Sequence, residues 1–341
     1  MTMQREAEAA TAAAKETPTP SEKEVQSPAI SAKIREKLKL FLNEFDFTSF
    51  WDVTKPWVLV PHGSFLNAFD WVPPVFREGH WNLLVCLHFA FTVYSVGLMC
   101  VYYVFTKPAL IMEANSNNNA DNNFEYYDAY SSQWWYNLAG FAWTSFVIAS
   151  ILFRGGGPGS WLTFTVQTWT LLWLRHGLST LVSLWPSYYV VTLNEYLRLP
   201  MLVQSSLTFF AWNLILAPII YSRMETPAQQ QMFRNVFTNF RLTQLHLFVI
   251  VFATIQGVYG TPARQLSSID FCCTCLSVLQ YAFLYLLVLD RLGIHLYLIY
   301  SPRTNLAILS WSLTYAAVYG LFVFWRKILN LYIVEEPGSV S

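Results

Sequence analysis

The sequence predicts an all-α fold, a polytopic transmembrane helix bundle of six or seven spans, on three observations. Hydrophobic residues make up 54% of the 341 positions and charged residues only 12%, whereas soluble domains carry roughly a quarter charged. Trp, Tyr and Phe number 14, 19 and 26, and many sit at the ends of apolar runs, where amphipathic rings favour the headgroup layer. The apolar runs themselves meet or approach the ~20 residues that a helix needs to cross a bilayer, and a helix satisfies its own backbone where lipid cannot.

Residues 1–31, "MTMQREAEAATAAAKETPTPSEKEVQSPAIS", have almost no large apolar side chains and cannot offset the entropy of ordering, so they read as a disordered cytosolic tail. No charged start with a short apolar core occurs there, so targeting is expected from the first true span. In the juxtamembrane segment 32–81, "AKIREKLKLFLNEF" places Ile34, Leu38 and Phe41 on one helical face and Lys33, Arg35, Lys37 and Lys39 around the others. That pattern fits an interfacial helix on an anionic leaflet or a soluble amphipathic one.

The bundle is expected over 82–333, with spans near 82–106, 134–153, 160–185, 200–221, 243–261, 271–299 and 306–330, and a short tail at 334–341. Arg175 and His176 interrupt the third run. It either crosses whole, or crosses as 160–174 followed by an interfacial piece, "GLSTLVSLW", which is why six spans stay open beside seven. Lys33, Arg35, Lys37, Lys39, Lys55 and Arg77 precede the first span, while the loop 107–133 has only Lys107 with several acids. The positive-inside rule then puts the N-terminus in the cytosol. Arg223, Arg234 and Arg241 fall on the same side by parity; Arg326 and Lys327 fall on the other. An integral protein of the endoplasmic reticulum or another endomembrane is expected.

Several functions are disfavoured. Formal net charge is zero, so nothing points to nucleic acid, and membrane lipids are the expected partners. The five cysteines include "CCTC" at 272–275 without a second cluster at zinc-ligand spacing, and the six histidines are dispersed; neither a metal nor another cofactor is expected. "GGGPG" at 155–159 lacks the lysine of a phosphate loop and reads as a turn. No G-x-S-x-G nucleophile elbow occurs. Paired broken helices of the transporter kind are not visible either.

Ionisable and polar groups at membrane depth are the candidates for function, because a charge there is costly unless paired or wet. They are His88, Thr163, Gln167, Arg175, His176, His246, Gln256, Asp290, Arg291 and His295. Asp290 and Arg291 are expected to pair locally or to face the interface. The third and fifth runs start on the same face of the membrane, and Thr163 and His246 each lie a few residues inside them, at nearly the same depth. A hydroxyl and an imidazole so matched can form a nucleophile and base pair. The same residues serve helix packing equally well, since membrane threonines bond the carbonyl one turn back and histidines bridge helices. Gln256, ten residues beyond His246, is about 15 Å deeper and too far to orient that imidazole.

"SWLTF" at 160–164 and "LTQLHLFVIVFATIQ" at 242–256 resemble the androgen-induced-protein family of membrane threonine hydrolases, which cleave branched fatty-acid esters of hydroxy fatty acids. "GIHLYLIY" and "ILNLYIVEEP" resemble its terminal region, so the likeness spans about 134–336. It implies Thr163 as nucleophile, His246 as base and an acyl-chain substrate. The Trp-to-Thr spacing is one residue shorter here, Arg241, Leu242 and Thr243 replace a polar pair before the histidine, and Gln256 replaces an acid. "WVPPVFREGHW" and the first two spans also resemble the Rolling stone-like multi-pass family, a likeness that implies no role for Thr163. The alternative to a hydrolase is a non-catalytic membrane protein that binds lipid or protein partners.

Overall fold

The computed structural model describes residues 80–106, 128–154, 158–222, 224, 226–262, 264–290 and 297–332. The tails expected at 1–31 and 334–341, nearly all of 32–81, and Arg291 and His295 lie outside the described residues. Among the described residues every regular element is helical, as the composition requires.

The first two helices are α1 (Leu83–Thr106) and α2 (Ser132–Arg154). A 3-10 turn at Pro158–Leu162 leads into α3 (Phe164–Leu184). Then come α4 (Tyr188–Tyr196) and α5 (Arg198–Phe210), extended by a π turn at Ala211–Leu216 and by α6 (Ala217–Ser222). Pro200 sits in the first turn of α5, where the missing N–H has no intrahelical acceptor to disappoint. The span therefore begins about a dozen residues before the expected 200–221.

The amphipathic helix α7 (Pro227–Phe237) connects to α8 (Phe240–Thr243), a π turn at Gln244–Phe248 and α9 (Val249–Val258). Next, α10 (Ser268–Leu284) continues in a π turn at Tyr285–Leu289, and a 3-10 turn at Leu298–Tyr300 precedes α11 (Leu306–Asn330). The π turn ends at Leu289 with Asp290, still in helical conformation, as its C-cap, and residues 291–296 lie outside the described residues.

Among the described residues, six spans are long and apolar enough to cross a membrane: 83–103, 132–153, 189–219, 240–258, 268–289 and 306–330. The chain is thus a multi-pass membrane protein. Helix α3 is too polar to count among the six, yet its 21 residues rise about 30 Å. Its first turns meet His246 at the start of the 240–258 span, and its later turns meet Gln256 at that span's end. It therefore runs beside the 240–258 span from one end to the other without breaking at Arg175.

Position explains the polarity. Helix α3 packs against α2, α4, α5 and α9, and it buries Thr165, Thr168, Arg175, His176, Ser179 and Thr180 beside Val166, Trp169 and Leu172. Neighbouring helices shield it from lipid, which is where polar side chains in a membrane protein are tolerated. The lipid face is apolar by contrast: Leu83, Phe91, Phe153 and Leu313 are all well exposed. His176 lies flat over Gly140 of α2, so close that a Cβ there would clash with the imidazole. The α2–α3 crossing thus depends on the absence of a side chain at Gly140.

Candidate functional site

One end of the bundle carries the start of α3, the π turn at Gln244–Phe248 and the segment 297–305. Thr163 is the N-cap of α3: its backbone is extended, its hydroxyl accepts from Val166 N–H at 3.3 Å and donates to the Ser160 carbonyl at 2.8 Å. This is the ordinary work of a capping threonine. No hydrogen bond joins Thr163 to His246 among the described residues. The hydroxyl that meets His246 belongs to Thr165, whose Oγ1 lies 3.5 Å from Nε2.

The imidazole is held on three sides. Its Nδ1 faces the Leu242 carbonyl at 3.2 Å. A carbonyl can only accept, so Nδ1 carries the proton and Nε2 presents its lone pair to the Thr165 hydroxyl. The ring stacks on Trp212 at a centroid distance of 4.1 Å and 18° between planes. Asn213 Nδ2 donates to the His246 carbonyl at 2.9 Å, and Trp169 Nε1 donates to the Leu245 carbonyl at 3.3 Å. Trp212, Asn213 and His246 all sit in π turns, the kind of helix irregularity that recurs at functional sites because the wide turn re-aims side chains. The Tyr297 phenol lies beside the same Thr165 hydroxyl and the Phe164 backbone.

The other polar residues of the α3 start are spent on packing. Thr168 bonds the Phe164 carbonyl and Thr208; Thr170 bonds the Val166 carbonyl and receives Trp161 Nε1. Gln167 reaches the Trp161 carbonyl at 3.5 Å. Asp290, expected to pair locally or to face the interface, is fully buried, and Arg291 lies outside the described residues. Asp290 accepts from Arg303 at 2.9 and 3.2 Å and from Trp81 Nε1 at 2.8 Å, which ties the entry of α1 to the segment before α11.

A second polar cluster fills the opposite end. Arg175 donates to Gln256 Oε1, the Asn194 carbonyl and Thr261 Oγ1 at 2.6–2.7 Å. Arg198 donates to Glu195 and Thr261, and Arg264 bridges Glu195 and Asp270. Burial opposes the Arg264 charge, but the bonds to Asp270 and the Glu195 carboxylate outweigh it and raise its pKa above the ordinary arginine value. Gln256 also donates to Ser179, and His176 Nδ1 faces Asn137 Oδ1 at 3.2 Å. Sequence reasoning found Arg175, His176 and Gln256 but missed Asn194, Glu195, Arg198 and Arg264. Their signal was a set of charges at span ends, in "LNEYLRLP" and "PARQLSSID", that has meaning only once the spans are brought together.

A groove of about 350 Å³ opens between α1, α10 and α11, lined by His88, Phe91, Ser95, Met99, Cys275 and Tyr315. His88 Nε2 lies 3.5 Å from Ser312 Oγ there. Among the described residues no group of three or more His, Cys, Asp or Glu is placed to hold a metal ion. Comparison with known proteins returns no family, no curated relative and no solved structure similar to this chain.

Proposed function

We propose that this multi-pass membrane protein hydrolyses a lipid ester, with Thr165 as nucleophile and His246 as general base. The observation that carries the reading is the Thr165 Oγ1–His246 Nε2 approach of 3.5 Å with Nδ1 fixed on the Leu242 carbonyl. This is the nucleophile, base and orienter arrangement of acyl transfer, with a backbone carbonyl as the third member. The resemblance to the androgen-induced-protein family supports the same chemistry and the same histidine. It assigns the nucleophile to Thr163, and the capping geometry of Thr163 is what moves our assignment two residues along.

In the proposed reaction His246 Nε2 takes the Thr165 proton as Oγ1 bonds to the acyl carbon. The ester C–O bond then breaks, and the departing alcohol takes the proton back from the imidazolium. Water, deprotonated by the same imidazole, attacks the acyl carbon; the acyl C–Oγ1 bond breaks, Thr165 takes the proton back from the imidazolium, and the acid leaves. Val166 N–H is taken by the Thr163 cap, so the N–H of Thr165 at the positive end of α3 is the group proposed to stabilise developing negative charge on the carbonyl oxygen.

The alternative is a non-catalytic protein that binds lipid, and the groove between α1, α10 and α11 supports it. A serine-directed fluorophosphonate probe separates the two. Labelling of the purified protein that is lost in Thr165→Ala and in His246→Ala supports the hydrolase; equal labelling of wild type and both variants removes the pair from any mechanism.

A further inference from the structure

Helix α1 lies on the outside of the bundle, with only 11% of its apolar span buried, and a helix so placed in lipid is expected to be apolar all round. It instead carries His88, Thr92 and Ser95 at positions i, i+4 and i+7, on one helical face, and that face lines the groove toward α10 and α11. Across the groove α11 supplies Ser312 and Tyr315, three residues apart. His88 Nε2 and Ser312 Oγ meet at 3.5 Å. The Tyr315 hydroxyl is buried and has no hydrogen-bond partner among the described residues. An acyl chain of bulk lipid cannot satisfy it, so its occupant carries a polar atom. The far end of the groove is apolar: Met99, and Phe271 packed on Tyr319 and Phe322 further along α11. From His88 to Met99 the groove runs about 16 Å, roughly half of the ~30 Å hydrocarbon core. Its volume of about 350 Å³ is at the small end of the roughly 300–1,000 Å³ of ligand sites, room for one slender body rather than two chains. No lysine or arginine lines it, so a phosphate or carboxylate would lie there unpaired.

We propose that this groove binds a sterol, with the sterol hydroxyl among His88, Ser312 and Tyr315 and the ring system against the apolar end. A hydroxyl both donates and accepts, so it serves the phenol without bringing a charge. A rigid ring system also loses less freedom on binding than a flexible chain. None of the groove's residues touches Thr165 or His246, so the site holds with or without hydrolysis. It gives the lipid-binding alternative a named class of ligand.

The test is photolabelling of the purified full chain, in phosphatidylcholine nanodiscs, with a cholesterol analogue that carries a diazirine and an alkyne, the adducts being mapped by peptide mass spectrometry. Adducts are expected on the groove-lining stretches of α1 and α11, with excess cholesterol competing and oleic acid not. Tyr315→Phe keeps the ring and removes the hydroxyl; it is expected to cut labelling at low probe concentration roughly three- to tenfold, the loss of one hydrogen bond. Ser95→Phe, at an exposed position, fills the groove without entering the core and is expected to abolish labelling. Adducts scattered over every lipid-facing helix, or labelling of either variant equal to wild type, would overturn the proposal. Competition by oleic acid as strong as by cholesterol would overturn the sterol assignment while leaving a lipid-binding protein.

Discussion

Thr165 Oγ1 lies 3.5 Å from His246 Nε2, while Thr163, two residues earlier, spends its hydroxyl on Val166 N–H and the Ser160 carbonyl. The two threonines therefore separate a structural role from the proposed chemical one. Thr163→Ala is expected to cost about 1 kcal/mol of stability, the usual loss of a threonine cap, and to leave fluorophosphonate labelling intact. Thr165→Ala is expected to behave in the opposite way. Thermal unfolding and labelling measured on both variants check the assignment.

Gly140 is required by the imidazole above it. Gly140→Ala forces the α2–α3 crossing apart and is expected to destabilise by roughly 1–3 kcal/mol, the range for overpacking. Adding His176→Ala should recover part of the loss, a coupling that a double-mutant cycle in unfolding midpoints reads directly.

Asp290 and Arg303 are both buried, and Trp81 also donates to the carboxylate. Asp290→Asn removes the carboxylate charge that Arg303 meets at 2.9 Å. Breaking one side of a buried pair costs roughly 3–5 kcal/mol, so a large drop in the unfolding midpoint is expected. Charge reversal of both partners should lose less than either single change.

A crossing by α3, added to the six apolar spans, is expected to put the 158–162 turn and the 259–267 loop on opposite sides of the membrane. A cysteine placed in the 158–162 turn should be labelled by an impermeant thiol reagent from the N-terminal side, and one in the 259–267 loop from the other. Labelling of both from one side would contradict α3 as a crossing.

Much of this fold was legible in the sequence, because long apolar runs leave a chain little choice in lipid. The spans at 82–106, 134–153 and 306–330 were placed to within about two residues. What sequence could not separate was a polar helix that crosses inside the bundle from one that lies at its edge. Arg175 and His176 look like an interruption until Gln256, Asn194, Thr261 and Asn137 are seen beside them. The matched depth of the third and fifth runs was also readable and led to His246 and the start of α3. The choice between Thr163 and Thr165 was not, since it turns on where the 3-10 turn ends and α3 begins. A threonine directly before a helical run carries an N-cap signal, which was the one available hint. The charged cluster around Glu195 was invisible, as its members come from three separate stretches of chain.

The site of the fluorophosphonate adduct, mapped by peptide mass spectrometry on the wild-type protein, tests the central proposal most directly. The account predicts an adduct on Thr165 that disappears in His246→Ala. An adduct on Thr163 or elsewhere, or no adduct on folded protein, would contradict it.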